Sequence, residues 1–203
     1  YRLGVDTAIP VKIGDAQAIE FSFAIPLSFT NPITNEPILY TGRSDCIAEY
    51  AGGIYPVDEK TTSSLGKTWA QQWELRSQFT GYCWSCKEQL NITPKGALVR
   101  GVSILKTKYD TQQSVTSRAD WEISRWLDQV YRDLYDMEEC FKQGYYDYNL
   151  DGACNDYGGC QFRNICKMKD PLTWLKVDFE QKVWDPTAKE LRTVEEWENM
   201  WLV

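Results

Sequence analysis

Two aspartates and a lysine have the types and the spacing of a site that binds a cation. Asp45 lies near the end of one β-rich segment, and Asp58 and Lys60 lie on the next one. Because side chains two residues apart point to the same face of a strand, Asp58 and Lys60 would project together while Glu59 turns away. If the two segments pair as a hairpin, Asp45 comes alongside them.

Two carboxylates about 4 Å apart favour a bound cation. At that separation and an effective dielectric near 20, they repel each other by about 4 kcal/mol. Oxygen ligands of this kind suit Mg²⁺ or Mn²⁺, and a neighbouring lysine can stabilise charge on a phosphate or orient a water. The pattern therefore indicates phosphodiester hydrolysis. A surface turn that carries a salt bridge is the alternative reading.

The apolar periodicity predicts the strands that would position these side chains. Gly52-Gly53 predicts a hairpin turn between two of the strands. The predicted strands lie at 18–29, 38–50, 54–61 and 97–106.

Two helical segments accompany the strands. Lys67 to Leu90 is predicted to form one long helix, because it has few β-branched residues and no proline. Gln78 and Tyr82 are four residues apart and therefore lie on one face of that helix. A second helix is predicted from about 118 to 142, because the apolar residues of that segment recur along one side of a helix.

The order of these elements resembles the RecB-like branch of the PD-(D/E)XK nucleases, which includes the CRISPR-associated exonucleases and phage relatives. The matching segments are Gly42 to Asp45, Val57 to Thr62 and Gln78 to Tyr82. The resemblance covers about residues 18–106 and a later cysteine-rich segment. It implies an α/β fold with a central mixed β-sheet flanked by helices, as in restriction endonucleases, followed by the C-terminal cysteine-rich segment.

The resemblance also implies roles for the acidic residues and the lysine. Asp45 and Asp58 would be ligands of Mg²⁺ or Mn²⁺, with the backbone carbonyl of Glu59 as a third ligand. Lys60 would stabilise the transition state or position the attacking water. The expected activity is that of a metal-dependent DNA nuclease of exonuclease type.

Three further residues are candidates for the same site. By the resemblance, Gln78 and Tyr82 would organise the site and the DNA strand; alternatively, they are polar and aromatic residues at a helix–sheet interface. Many members of the superfamily place a Glu or a His before the first core strand; the chain contains no histidine, and Glu20 is the candidate here. Glu20 is equally compatible with a solvated position at a strand edge.

Seven cysteines form the other unusual feature, and three of them, Cys154, Cys160 and Cys166, are evenly spaced in a loop-rich segment. Thiolates suit iron–sulfur clusters or zinc, and similar exonucleases hold a [4Fe–4S] cluster with a cysteine group like this one. The fourth cysteine is missing from its expected N-terminal place. Either the chain, which begins at Tyr1, is a fragment and this cysteine lies upstream of it, or Cys140 takes its place. Zinc, disulfides and free thiols are the alternatives, and the odd count argues against disulfides.

The net charge of −7 and the isoelectric point near 4.8 are unusual for a protein that contacts phosphates. Binding to DNA would therefore depend on a local basic stripe. Trp69 and Tyr109 are aromatic side chains that could stack on unpaired bases, although core packing is the commoner use of tryptophan. The candidate stripe comprises Arg43, Lys67, Arg76, Lys87, Lys95 and Arg100.

The length of 203 residues predicts a single nuclease domain over 1–203. Its parts would be a core over about 18–106, a helical region over about 117–145 and the cysteine-rich segment with a tail over 146–203. No apolar run is long enough to cross a membrane. The expected partner is DNA, single-stranded or at duplex ends, in the cytoplasm of a bacterium or a phage-infected host, with a homo-oligomer or a partner protein compatible with the sequence.

Two other classes of function fit some of these features. A non-catalytic subunit that binds nucleic acid or serves in assembly would keep the fold without cleavage. An interaction module stapled by zinc or disulfides would make the Asp-x-Lys pattern accidental.

Overall fold

The computed structural model describes residues 7–148, 154–155 and 158–182. The strands within them are β1 (Ile9–Pro10), β2 (Lys12–Ile13), β3 (Ala16–Gln17), β4 (Ile19–Thr30), β5 (Pro37–Tyr50), β6 (Gly53–Thr62), β7 (Leu98–Ile104) and β8 (Tyr109–Val115). The α-helices are α1 (Lys67–Gln71), α2 (Ser77–Leu90), α3 (Asp120–Gln143) and α4 (Pro171–Asp178).

A six-stranded mixed sheet forms the centre of the first part of the chain. Its order is β1-β5-β6-β7-β8, and β4 also pairs with β5. The β6–β7 pair is parallel, whereas the other pairs are antiparallel. With helices packed against this sheet, the predicted fold class is confirmed. The edge strand β8 was not predicted, because its sequence is largely polar and lacks the apolar alternation of a half-buried strand.

The β5–β6 hairpin closes through a two-residue turn at Ala51 and Gly52, one residue earlier than the sequence predicted. Tyr50 pairs with Gly53 on either side of it. Both turn residues have positive φ, 47° and 70°, as a type I′ turn requires. The ammonium of Lys95 donates to the carbonyl of Gly52 over 3.0 Å, which fixes the turn.

The prediction of one helix over 67–90 is wrong, because the chain breaks into α1 and α2 at residues 72–76. That stretch contains neither glycine nor proline, so the break has a tertiary cause. The buried guanidinium of Arg118 donates to the carbonyl of Trp73 over 3.0 Å. The ring of Trp73 also packs edge-on against Trp69 and Phe79.

Helix α2 lies directly on the sheet. Its Gly81 is close to Tyr40 of β5, and a Cβ at this glycine would collide with the tyrosine hydroxyl. The absence of a side chain therefore sets how near the helix can come. The buried core between helix and sheet comprises Phe23, Trp69, Trp73, Phe79, Tyr82, Ala97 and Val99.

Strand β5 carries an irregularity in the stretch that contains Asp45. Tyr40 packs edge-on against Trp84 of α2, and Ile47 packs against Cys86 of the same helix. Residues seven apart would face opposite sides of a regular strand. The alternation therefore shifts between them, although the β4–β5 register is the same on both sides of Asp45, with Ile19 opposite Cys46 and Phe21 opposite Ser44.

The chain divides into two compact units, Tyr1–Asp136 and Met137–Val203. The described part of the second unit contains α4 and a short 3₁₀ turn at Ile165–Lys167. In it, Phe162 and Phe179 stack with ring centroids 5.0 Å apart. The single nuclease domain over 1–203 stays a prediction. Within the described residues, no helix combines the length and the apolar character needed to cross a membrane.

Candidate active site

Asp58 lies at the centre of the site, on β6, and is 3% exposed. Its Oδ1 accepts a hydrogen bond from Nε2 of Gln78 over 3.2 Å. Its Oδ2 lies 2.6 Å from Nζ of Lys60, which projects from the same face two residues later. The side chain of Lys60 is 30% exposed, so the lysine connects the buried carboxylate to solvent.

The buried carboxylate of Asp58 is incompletely compensated. Despite its close approach to Lys60, Oδ2 accepts no well-directed hydrogen bond from the described residues. Burial raises the pKa of Asp58, and the nearby charge of Asp45 adds to this effect, while the contact with Lys60 opposes it. The net direction is upward, so the burial of charge outweighs the attraction of the lysine. An additional cation would therefore stabilise the ionised form.

Asp45 reaches the site through the hairpin. Cys46 pairs with Val57, so the next residues along the two strands are Asp45 and Asp58. Oδ2 of Asp45 accepts a hydrogen bond from the backbone N–H of Glu59 over 2.9 Å, which orients its carboxylate. The structure thus brings Asp45, Asp58 and Lys60 together.

Ser44 strengthens this part of the hairpin, although no sequence pattern predicts it. It is 1% exposed, and its hydroxyl donates to the carbonyl of Cys46 over 3.0 Å and lies 3.4 Å from the carbonyl of Val57. The hydroxyl thereby links β5 to β6 beside both aspartates. A serine inside a strand carries no pattern that distinguishes it, so only the register reveals this contact.

Gln78 and Tyr82 connect α2 to the site. Nε2 of Gln78 donates to Asp58 and also to the hydroxyl of Tyr82 over 2.9 Å. The hydroxyl of Tyr82 donates in turn to the carbonyl of Arg43 over 2.7 Å. Burial is the main cause that raises the pKa of Tyr82, so the hydroxyl keeps its proton as a donor. This chain of bonds fixes Asp58 relative to β5.

The side chain of Glu59 turns away from Asp58, as the strand alternation predicted. Its Oε1 accepts from Nη1 of Arg100 over 3.2 Å. Arg100 is the residue that faces Glu59 in the parallel β6–β7 register. The backbone N–H of Glu59, by contrast, contacts the site, because it donates to Asp45.

Glu20 lies beside Asp45 in the neighbouring strand but forms a different contact. The residues on either side of it, Ile19 and Phe21, pair with residues on either side of Asp45. The carboxylate of Glu20 pairs with Nε of Arg43 over 3.0 Å, and both side chains are more than half exposed. The φ of Glu20 is 52°, a left-handed conformation that is strained for this residue type.

Most of the predicted basic stripe is engaged within the protein. Arg43 and Arg100 pair with glutamates, Lys87 pairs with Asp120, and Lys95 binds the hairpin turn. The guanidinium of Arg76 lies 5.8 Å from the centroid of the Trp73 ring. Lys67 differs from these residues, since it lies exposed at the start of α1.

Of the two aromatic residues expected to stack on bases, one is available. Trp69 is 7% exposed and belongs to the core, so of the two uses that the sequence left open it is core packing, not stacking on bases, that applies to it. Large aromatic side chains contribute more to stability when they are buried than when they are exposed. Tyr109, on the edge strand β8, is 74% exposed.

The structure gives no support for an iron–sulfur cluster. Across residues 7–148, 154–155 and 158–182, no three acidic or cysteine side chains form a group that could hold a metal. Cys154 and Cys160 are joined through their backbones, by a hydrogen bond of 3.1 Å, and Cys160 and Cys166 are exposed. No chemistry is therefore assigned to Cys154, Cys160 and Cys166, or to Cys140.

Comparisons with known proteins agree with this geometry. A model of the PD-(D/E)XK nuclease superfamily matches residues 10–167, well over half of the chain. None of the curated proteins matches the chain. Among solved structures, the crystal structure of SSO0001 matches at 14% identity with a TM-score of 0.33, over 56% of this chain and 49% of that one. The chain thus spans about half the length of SSO0001, and a likeness at this level adds nothing to the family match.

Proposed function

The chain belongs to the PD-(D/E)XK nuclease superfamily, and from this premise we propose that it is a metal-dependent DNA nuclease of exonuclease type, similar to the RecB-like branch. The superfamily hydrolyses phosphodiester bonds, so the substrate class is nucleic acid. One observation carries the proposal: a buried aspartate, whose Oδ2 contacts the ammonium of Lys60, lies beside a second aspartate across the hairpin.

The donor set fits a hard divalent cation. Asp45 and Asp58 supply carboxylate oxygens, and the backbone carbonyl of Glu59 adjoins them on β6. Two carboxylates and a carbonyl suit Mg²⁺ or Mn²⁺, which take oxygen ligands and keep several waters. When bound, the cation would supply positive charge that stabilises the scissile phosphate in the transition state.

Lys60 has the position of a charge-stabilising residue. Its ammonium is anchored at Asp58 and remains partly exposed, so it can contact a phosphate without leaving its partner. A fixed positive charge directed at developing negative charge lowers the barrier, because no reorganisation is needed during the reaction. The same ammonium can donate a hydrogen bond that orients the attacking water.

Gln78 and Tyr82 act as positioning residues. Gln78 holds one oxygen of Asp58, which leaves Oδ2 directed at Lys60 and the proposed cation. Tyr82 secures Gln78 and the backbone of β5 at the same time. This arrangement, on a helix that follows the Asp-x-Lys strand, supports the assignment to the RecB-like branch.

Cleavage of end-labelled DNA tests the proposal. Single- and double-stranded substrates are incubated with Mg²⁺ or Mn²⁺, and products are resolved over time, so that progressive shortening from an end is distinguished from internal cuts. We expect metal-dependent shortening that is lost in Lys60→Ala. Absence of cleavage with either metal, together with retained DNA binding, would favour the non-catalytic alternative.

A further inference from the structure

A pocket of about 360 Å³ opens at the carboxyl end of β6, next to the candidate active site. Thr62 belongs to its lining and lies two residues beyond Lys60, on the same face of the strand and about 6–7 Å further along. The remaining lining residues are Ser64, Leu65, Gly66, Lys67, Thr68, Trp69 and Gln72.

The pocket and the active site share a wall. Gly101 of β7 faces Lys60 in the parallel register. A Cβ at Gly101 would collide with the ring of Trp69 and with Leu65, so these two side chains lie directly on the glycine. The apolar floor of the pocket therefore extends to the strand position beside Lys60.

Hydrogen bonds hold the rim of the pocket in place. Gln112 of β8 accepts from the backbone N–H of Gly66 over 2.7 Å and donates to the carbonyl of the same glycine over 3.2 Å. The hydroxyl of Thr62 donates to the carbonyl of Ser64 over 3.0 Å and accepts from its N–H over 3.2 Å. The loop that leads from β6 into α1 is thus organised before any ligand binds.

The lining has the chemistry of a site for an anion. It includes the ammonium of Lys67 and the hydroxyls of Ser64 and Thr68, but no carboxylate, although the chain carries a net charge of −7. In the part of the chain that the structure describes, no carboxylate pairs with Lys67, whereas other basic residues near the core are engaged. Ammonium and hydroxyl donors are groups that bind phosphate oxygens.

We propose that this pocket binds the phosphate next to the scissile one on the same nucleic-acid strand, with Lys67 as its charged contact. The inference rests on the proposed function, because the scissile phosphate lies at Lys60 only if the site hydrolyses nucleic acid. Ser64 and Thr68 contribute neutral donors, and the wall of Trp69 and Leu65 borders the sugar. The strand therefore runs from Lys60 along β6 toward α1.

Salt-dependent binding of a labelled single-stranded oligonucleotide tests the subsite. The parent is the full chain with Lys60→Ala, which suppresses cleavage. Three double variants add Lys67→Ala, Lys67→Arg or Lys12→Ala to this parent, and binding is measured in Mg²⁺ buffer. Lys12 is an exposed lysine on β2 and serves as the matched control. We expect Lys67→Ala to weaken binding and to reduce the magnitude of the salt slope by about 0.7, the value for one lost phosphate contact on a single strand. The two other variants should keep the slope of the Lys60→Ala parent.

The outcomes separate this inference from the proposed function. If Lys67→Ala leaves the salt slope of binding equal to that of the Lys60→Ala parent, the subsite is overturned, even if the wild-type chain cleaves DNA. Failure of the parent to bind nucleic acid would overturn it as well. Binding that depends on Lys67 in a wild-type chain that never cleaves would keep Lys67 as a phosphate contact but reject the nuclease, and with it the assignment of a neighbouring scissile phosphate. In an active wild-type background, Lys67→Ala should raise KM more than it lowers kcat, since the contact lies away from the reacting bond.

Discussion

Nζ of Lys60 lies 2.6 Å from Oδ2 of Asp58, yet burial still raises the pKa of the aspartate. The lysine is therefore a partial counter-charge, and a second positive charge would further stabilise the ionised carboxylate. The role of Lys60 in catalysis can therefore be tested separately from its role in stability.

Lys60→Ala should reduce cleavage by about 10²–10³-fold, as for the loss of one preorganised stabilising group. The fold should survive, because the lysine side chain is partly exposed. Lys142→Ala, which removes another ion-paired lysine far along the chain, is the control. Cleavage rates and circular dichroism check both points, and wild-type cleavage by Lys60→Ala would remove the assigned role.

Asp58→Asn should raise the melting temperature of the metal-free protein by a few degrees at neutral pH. The raised pKa means that the folded state binds the proton of Asp58 more tightly than the unfolded state does. Wild-type stability attributable to this group is thus present at low pH and is lost as the pH rises through the folded pKa. The advantage of the asparagine should therefore be small in acid and should grow with pH.

Thermal unfolding of both chains in EDTA, from acid to neutral pH, measures this difference in melting temperature. Asp128→Asn removes an exposed carboxylate and serves as the control. A melting temperature of Asp58→Asn that is below wild type at neutral pH would show that the buried charge is already compensated.

Addition of Mg²⁺ or Mn²⁺ should raise the melting temperature of the wild-type chain, because a ligand that binds only the folded state stabilises it. The shift should disappear in Asp58→Asn and shrink in Asp45→Asn, since each loses one anionic ligand. It should also weaken as the pH falls through the raised pKa of Asp58, where the cation competes with a proton. Thermal shift titrations measure this without any substrate, and equal shifts in all three chains would place the cation elsewhere.

Tyr82→Phe should lower stability by about 1 kcal/mol and reduce cleavage, because the carbonyl of Arg43 and Nε2 of Gln78 each lose a partner. Tyr131→Phe is the matched control, since its hydroxyl accepts from the N–H of Ser28 on an exposed surface. A double-mutant cycle with Gln78→Ala checks the link. Additive effects on cleavage would mean that the two residues do not act as a unit.

Arg118→Met should destabilise the fold by about 2–3 kcal/mol. Its guanidinium is buried and donates to the carbonyl of Trp73 and the hydroxyl of Thr80, so its loss leaves buried acceptors without donors. Arg125→Met, on the exposed side of α3, should change stability little. Urea unfolding measures both, and equal midpoints would contradict the role of Arg118 in joining α1 to α2.

The hairpin and its acids were predictable because their signals are local. Alternation gave β5 and β6, and the two-residue spacing put Asp58 and Lys60 on one face, as the structure shows. The break before Ser77 was not predictable, because the donor that satisfies Trp73 comes from Arg118, distant in sequence. Likewise, the partner of Glu20 follows from the β4–β5 register rather than from its neighbours.

The two-residue turn at Ala51 and Gly52 has a consequence for the order of folding. Asp45 and Asp58 meet through sequence-local closure, which is fast, whereas the parallel β6–β7 pairing joins segments some forty residues apart and is slower. We therefore expect the acidic pair to assemble while it is still hydrated. We expect its charge to be withdrawn from water only when the later pairing and α2 arrive, so that the electrostatic cost of the site falls on the final steps of folding.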